Sequence, residues 1–161
     1  MQSSASKKRS KFELLLWGIA FPGFGQLLSG SYIKGILLVL LEIIINVQAH
    51  FNRIIILSFN GNIHEAVTQA NYDWLLFYPC VYFFAIWDAF KDGSGPERPF
   101  MFLPFVFSAY LVTVGVFFSK SFTIHGVLLG PVWLPMLCLP IGLAIGFTIR
   151  AFCLLSQHKK T

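Results

Sequence analysis

Four long apolar stretches constrain this chain more than any other feature of its sequence. They occupy about residues 33–57, 72–90, 100–118 and 126–155. Each is close to or above the roughly 20 residues that an α-helix needs to cross a bilayer. Hydrophobic residues make up 56% of the 161 residues and charged residues only 12%, about half the charged fraction of an ordinary soluble domain. We therefore predict an all-α, polytopic membrane helix bundle, because a soluble fold has no place for so much apolar surface.

A fifth apolar stretch, residues 12–28, is shorter and is interrupted at Pro22-Gly23-Phe24-Gly25. Proline removes a helix hydrogen bond and glycine loosens the backbone, so each half reaches only about half the depth of a membrane. We predict that this segment is re-entrant or interfacial, which leaves four spans; the alternative is a full crossing and five spans. Residues 12–155 then form a single transmembrane domain between tails at 1–11 and 156–161.

The positions of Lys and Arg distinguish the two threadings. If residues 12–28 return to the side on which they enter, ten basic residues face the cytoplasm: Lys7, Lys8, Arg9, Lys11, Lys34, Lys91, Arg98, Arg150, Lys159 and Lys160. Arg53 and Lys120 then lie outside. If residues 12–28 cross, six basic residues lie on each side. Since cytoplasmic segments are enriched in Lys and Arg, we favour the re-entrant form, a multi-pass location in the plasma membrane, and two cytoplasmic termini.

The sequence offers little support for other classes of function. The net charge of +5 does not indicate a nucleic-acid partner, because the basic residues sit at the ends of apolar stretches. The chain has no Gly-x-Ser-x-Gly motif and no phosphate-binding glycine loop, so we predict no catalytic residues and no cofactor. His50, His64, His125 and Glu65 fall on the outer side, but without a metal-binding spacing, and no metal site is predicted. The expected partners are the lipid bilayer and other membrane proteins, or further copies of the chain.

Three polar residues inside the first long stretch need an explanation. Glu42, Asn46 and His50 are spaced four apart, which places them on one face of a single helix, and Arg53 follows near that face. An ionised carboxylate at the depth of Glu42 costs several kcal/mol unless it is paired. Three interpretations are open: a structural polar seam that bonds to another helix, a partner-docking face, or a proton or ion relay. In the relay, Glu42 is the titrating group and His50 the outer port.

Two short motifs accompany the apolar stretches. The first surrounds the break and comprises Pro22, Gly23, Gly25, Gln26, Gly30, Tyr32, Lys34 and Gly35; the second, near the end of a later stretch, is Trp87-Asp88-Ala89. The glycines leave room for close backbone approach, and Gly142-x-x-x-Gly146 has the spacing of a helix-packing face. We expect Gln26 to satisfy backbone groups freed by the break, and Asp88 to pair with Lys34 or Lys91. Lys34 is also placed to reach lipid phosphates.

From about Leu14 to Asp92 the chain resembles a group of small bacterial polytopic membrane proteins. Their shared pattern is Pro-Gly-x-Gly-Gln followed by Lys-Gly, and they are akin to the two-transmembrane-helix domain family. The resemblance implies a bacterial plasma membrane location and is almost silent on activity. With its small-residue packing faces and polar stripe, the sequence predicts a non-enzymatic assembly or scaffold component of the membrane. The alternative is a small transporter or channel subunit that uses an intramembrane carboxylate.

Overall fold

The computed structural model describes residues 9–158 and is mostly helical. Its elements in chain order are α1 (Lys11–Ala20), α2 (Phe24–Ser29), α3 (Tyr32–Gln48), α4 (Phe51–Phe59), α5 (Ile63–Gln69), α6 (Tyr72–Leu75), α7 (Tyr78–Asp92), α8 (Phe102–Phe118), β1 (Thr123–Ile124), β2 (Val127–Leu128) and α9 (Gly130–His158). The two strands form a short antiparallel hairpin between α8 and α9. Four of the predicted cytoplasmic cations lie outside the described residues: Lys7, Lys8, Lys159 and Lys160.

Helices α1 and α2 form a helical hairpin, called the N-terminal hairpin below. The first helix starts at Ser10, whose hydroxyl accepts a hydrogen bond from the Glu13 N–H at 3.1 Å, a typical N-cap. It ends just before Pro22, which cannot donate the next helix hydrogen bond. Gly23 then takes a φ of 98°, a left-handed conformation that suits glycine and reverses the chain.

The N-terminal hairpin enters and leaves the bundle at the same level of α7. Before α1, the carbonyl of Arg9 accepts a hydrogen bond from the Ser94 N–H at 2.9 Å. After α2, the Ser31 hydroxyl donates to Asp92 Oδ2 at 3.2 Å. Between these points the hairpin reaches Tyr82, about 15 Å along α7 from Asp92 at 1.5 Å per residue. Its depth is therefore about half that of a bilayer hydrocarbon core.

The stretch predicted as one helix at residues 33–57 is divided into α3 and α4. The two helices meet at 58°, and His50 between them has a φ of 55°. The prediction of a single helix through His50 is therefore wrong. The bend turns α4 over the end of the bundle, where Ile54 is fully buried and Leu57 is nearly so. Burial of these side chains favours the bend over a straight helix.

The bend in α3–α4 lies within the apolar core cluster of the described residues. Helices α4, α5 and α6 cover this end of the bundle. They pack against the start of α9 and the end of α8. Its buried members are Ala49, Ile54, Leu57, Ala66, Tyr72, Leu75, Val116 and Val132. This apolar cluster therefore stabilises the end of the bundle that is formed by α4, α5 and α6.

Helices α3, α7, α8 and α9 run antiparallel between two ends. The basic end is defined as the one where α1, α3 and α8 begin and where α7 and α9 finish. There, Lys11 Nζ donates to Pro96 O at 2.9 Å, and Arg150 Nε donates to Pro99 O at 3.1 Å. Within residues 9–158, the cations of the basic end are Arg9, Lys11, Lys34, Lys91, Arg98 and Arg150, whereas Arg53 and Lys120 lie at the opposite end.

Glycine lets α8 and α9 pack backbone to backbone. A side-chain carbon at Gly142 would lie 2.7 Å from the Cα of Ser108, and one at Gly115 would lie 2.9 Å from the Cα of Pro135. Gly146 is buried in the same contact, one turn further along α9. The predicted packing role of the Gly142-x-x-x-Gly146 pair is confirmed, and α9 continues through Pro135 as one helix.

Only some of the helices meet a length and hydropathy test for a membrane span. Among the described residues, the Gly130–Gln157 stretch of α9 passes alone, and α3 and α4 pass together as a bent pair. Helix α8 is apolar but has 17 residues. The fold is thus mostly helical, with one helix and one bent helix pair that are long and apolar enough to span a membrane.

Candidate functional site

The two sequence motifs, about 60 residues apart, pack directly against each other. Helix α2 lies so close to α7 that a side-chain carbon at Gly25 would be 2.5 Å from the Cβ of Ala89. The same carbon would be 3.0 Å from the Leu14 carbonyl oxygen on α1. On the other side of the hairpin, a side-chain carbon at Gly35 would be 2.6 Å from Leu27. Both glycines therefore provide the close approach that the sequence predicted.

A buried polar network joins the two motifs. Gln26 is fully buried and donates from Nε2 to the Ala85 carbonyl at 2.8 Å and to Asp88 Oδ2 at 3.1 Å. The other carboxylate oxygen of Asp88 accepts from Lys34 Nζ at 3.0 Å. The Asp88 side chain is 9% exposed and that of Lys34 is 57% exposed, so the lysine reaches inward from the surface. The predicted pairing of Asp88 with Lys34 is confirmed.

The role predicted for Gln26 at the break is wrong. The backbone of the break pairs locally, since the Phe24 N–H donates to Phe21 O at 3.1 Å and the Leu27 N–H donates to Gly23 O at 3.0 Å. This leaves the Gln26 amide free to hold α7 instead. Its Oε1 has no hydrogen-bond partner among the described residues. The amide thus fixes where the hairpin docks, not how it turns.

The other motif residues frame this network. Pro22 is buried at the hairpin tip, Gly30 ends α2 with a φ of 89°, and Tyr32 is 66% exposed at the start of α3. Lys91, the alternative partner predicted for Asp88, instead places its Nζ 5.4 Å from the ring centroid of Trp87. The two motifs are therefore joined by the hydrogen bonds of Asp88 with Gln26 and Lys34.

Glu42 lies beyond the hairpin tip, in a second polar group. It is 6% exposed, and the Tyr78 hydroxyl is close enough to interact with its carboxyl group. Its Oε2 has no hydrogen-bond partner, and none of the ion pairs within residues 9–158 includes it. Tyr78 and Tyr82 stack with ring centroids 5.5 Å apart, and the Tyr82 hydroxyl donates to Ile19 O at 2.8 Å. Among residues 9–158, this carboxyl group therefore has phenols as neighbours and no cation within ion-pair distance.

The predicted polar stripe is not continuous. His50 lies outside α3, and its Nδ1 is 2.9 Å from the carbonyl oxygen of Gln69. Arg53 bonds to the Gln69 side chain and forms an ion pair with Glu65 at 3.7 Å. Asn46 remains on α3, half-buried, and its side chain has no hydrogen-bond partner in the described part of the chain. The four residues of the stripe thus belong to three separate environments.

Comparisons with known proteins add no further assignment. No family model, curated protein or solved structure matches the chain. The resemblance to small bacterial membrane proteins therefore stays a prediction. Among residues 9–158, no group of three or more His, Cys, Asp or Glu side chains is arranged to hold a metal ion.

Sequence reasoning missed Tyr78 and Tyr82. Both lie on α7, four residues apart, and both are close enough to Glu42 to interact with its carboxyl group. Their spacing is a signal in the sequence, because it places two polar hydroxyls on one face of a helix in an apolar stretch. Their contact with Glu42 could not be predicted, because the sequence does not say which helices are neighbours.

Proposed function

We propose that this chain is a multi-pass protein of the plasma membrane. In this proposal α3, α7, α8 and α9 cross the bilayer, and the N-terminal hairpin is re-entrant. The exposed apolar side chains support a lipid environment, with Ile33 88% exposed and Phe152 73% exposed. The concentration of cations at the basic end supports a cytoplasmic location for that end. A hairpin that enters and leaves there needs no fifth crossing.

Cysteine labelling tests this threading. In a background without Cys80, Cys138 and Cys153, we expect Tyr32→Cys to react with a membrane-impermeant maleimide only after the cytoplasmic side is opened. Tyr32 follows the hairpin and is well exposed. The side of the membrane from which this position is labelled therefore shows whether the chain returns to the cytoplasmic side. Asn60→Cys, exposed between α4 and α5, is the matched control and should react in intact cells. Reaction of Tyr32→Cys in intact cells would exclude the re-entrant form.

Within the membrane, we propose that the protein acts by assembling with another membrane helix. The main support is Asn46, whose side chain has no hydrogen-bond partner among residues 9–158. Its side chain is half-buried on α3, about 21 Å from the start of the helix at 1.5 Å per residue, and Val47 beside it is 65% exposed. A polar amide in hydrocarbon gains from a hydrogen bond to a neighbouring helix. The helix faces that carry glycines already pack against other helices of the same chain. Asn46 is therefore the clearest position left for contact with a partner helix.

Photo-crosslinking from α3 tests the assembly. With a photoreactive amino acid at Val47, we expect a discrete protein adduct in cells, and Asn46→Leu should weaken association about threefold to thirtyfold, the range for interhelical hydrogen bonds in membranes. Asn52→Leu changes an exposed amide on α4 and should leave the adduct unchanged. If Val47 reacts with lipid alone, or if Asn46→Leu leaves the protein adduct intact, the α3 interface is wrong.

A second candidate function, proton transfer across the membrane, is favoured by Glu42. An intramembrane carboxyl group without a cationic partner is costly to ionise. Glu42 has no such partner among the described residues, and it lies beside two tyrosines just beyond the tip of the N-terminal hairpin. Discontinuous helices meet polar groups in this way in transporters. Glu42 is thus a carboxyl group whose placement a purely structural role does not explain.

Reconstitution distinguishes this candidate from assembly. In vesicles with an imposed membrane potential and an enclosed pH indicator, we expect wild-type protein to carry protons and Glu42→Gln to abolish the flux. The variant should fold, because a neutral amide costs less to bury than a charge. Glu65→Gln, at the exposed Arg53 pair, should keep full flux. Equal flux in wild type and Glu42→Gln, or flux in neither, contradicts proton transfer.

A further inference from the structure

An apolar groove between α7 and α8 adjoins a basic pocket, and we propose that the two together bind one anionic phospholipid. The groove has a volume of about 600 Å³ and the pocket about 280 Å³. Trp87 and Phe102 line both, so the two spaces adjoin. The inference rests on the proposed membrane location and concerns a site apart from Asn46 and Glu42.

The groove has the chemistry of an acyl-chain site. Its walls include Phe83, Phe84, Phe105 and Val106. The hydroxyl of Thr113, toward its deep end, already donates to Ala109 O at 2.8 Å. The groove walls are therefore almost wholly apolar, as contact with hydrocarbon requires.

The length of the groove favours a lipid over a partner helix. It extends along α8 from Phe102 to Thr113, about 16 Å at 1.5 Å per residue. One leaflet of hydrocarbon is about 15 Å thick, half of the roughly 30 Å core. A crossing helix would need a groove of the full thickness. The space therefore matches the acyl chains of one leaflet, the leaflet at the basic end.

The pocket has the charge of a phosphate site. Lys11, Lys91 and Arg98 line it together with a single carboxylate, Glu97, which gives two net positive charges. Basic pockets between helices on the cytoplasmic side bind anionic headgroups. Lys91 also covers the Trp87 ring at 5.4 Å, at the junction with the groove. A lipid headgroup held by these cations would leave its chains directly in the groove.

Tryptophan quenching by brominated lipids tests the site. In a variant with Trp87 as its only tryptophan, reconstituted in phosphatidylcholine vesicles containing some phosphatidylglycerol, we expect chain-brominated phosphatidylglycerol to quench more strongly per molecule than chain-brominated phosphatidylcholine. Each cation should contribute roughly fivefold to this preference. Changing Lys11, Lys91 and Arg98 together to Gln should remove it, and Glu97→Gln should increase it.

A second single-tryptophan variant separates failure of the site from failure of the membrane proposal. Trp17 is 45% exposed on α1 and should be quenched equally by both lipids. If Trp87 also shows no preference, or is quenched by neither lipid while Trp17 is quenched, the chain is in the membrane and the lipid site is wrong. If neither tryptophan is quenched by any brominated lipid, the membrane location fails and the site fails with it.

Discussion

Gly25→Leu is expected to prevent the N-terminal hairpin from docking on α7, the largest effect we expect of any single substitution. Even the first side-chain carbon would lie 2.5 Å from Ala89 Cβ and 3.0 Å from the Leu14 carbonyl, closer than van der Waals contact allows. Gly25→Ala should cost about 1–3 kcal/mol, as overpacking does elsewhere, and leucine adds three carbons that have no space. The midpoint of thermal aggregation in detergent measures the loss.

Two companion variants show whether the cause is local crowding. Ala20→Leu adds a large side chain at an exposed position of the same hairpin and should leave the midpoint close to that of wild type. Ala89→Gly removes the nearest opposing carbon and should cost about 1 kcal/mol through helix propensity. Combined with Gly25→Ala, it should recover part of the stability that Gly25→Ala loses, since residues in contact are not additive. A Gly25→Leu protein as stable as wild type would show that the hairpin does not pack on α7 as described.

The Gly25 contact and the Asp88–Lys34 pair show what this sequence can predict. In a chain with so few charged residues, each buried carboxylate has few possible partners, so the pairing of Asp88 could be reduced to Lys34 or Lys91. Glycine clusters next to a proline likewise indicate close backbone contact. The pairing of Asp88 could be predicted because a buried charge needs a partner. The glycine contacts could be predicted because a backbone without side chains permits close packing.

The bend at His50 shows where sequence reasoning stops. Residues 48–50 contain neither glycine nor proline, and the four-residue spacing of the polar side chains predicts a continuous helix. The bend arises from tertiary packing, which buries Ile54 and Leu57 of α4 and outweighs the strain of a positive φ at His50. Helix propensity is a weak guide where such packing competes with it.

The target of Gln26 could not be predicted for a different reason. The sequence places Gln26 next to the backbone groups of the break, so these are the partners that it predicts. At the break, the N–H groups of Phe24 and Leu27 bond to nearby carbonyls, and the Gln26 side chain bonds to Ala85 and Asp88 on a helix about 60 residues away. The neighbour of Glu42, Tyr78, was missed in the same way. Both contacts depend on which helices lie side by side, and the apolar pattern of each helix carries no such information.

Lys34→Met is expected to be more damaging than the double substitution Lys34→Met with Asp88→Asn. The single change leaves an ionised, 9% exposed carboxylate with the Gln26 amide as its remaining side-chain partner, and loss of one member of a buried pair is strongly destabilising. Because Lys34 itself is more than half exposed, solvent screening reduces the expected loss to about 1–3 kcal/mol. Asparagine removes the charge and can still accept the hydrogen bond from Gln26, so the double variant should recover much of that loss.

The exposed pair of Arg53 and Glu65 is the matched control for this cycle. Its atoms are 3.7 Å apart and its side chains are 63% and 46% exposed, so Arg53→Met should change the aggregation midpoint by the equivalent of less than about 1 kcal/mol. If Lys34→Met is equally mild, the carboxylate of Asp88 is solvated and the network does not hold the hairpin. If Lys34→Met is severe and Asp88→Asn does not relieve it, the lysine stabilises the fold through its aliphatic stem instead of its charge.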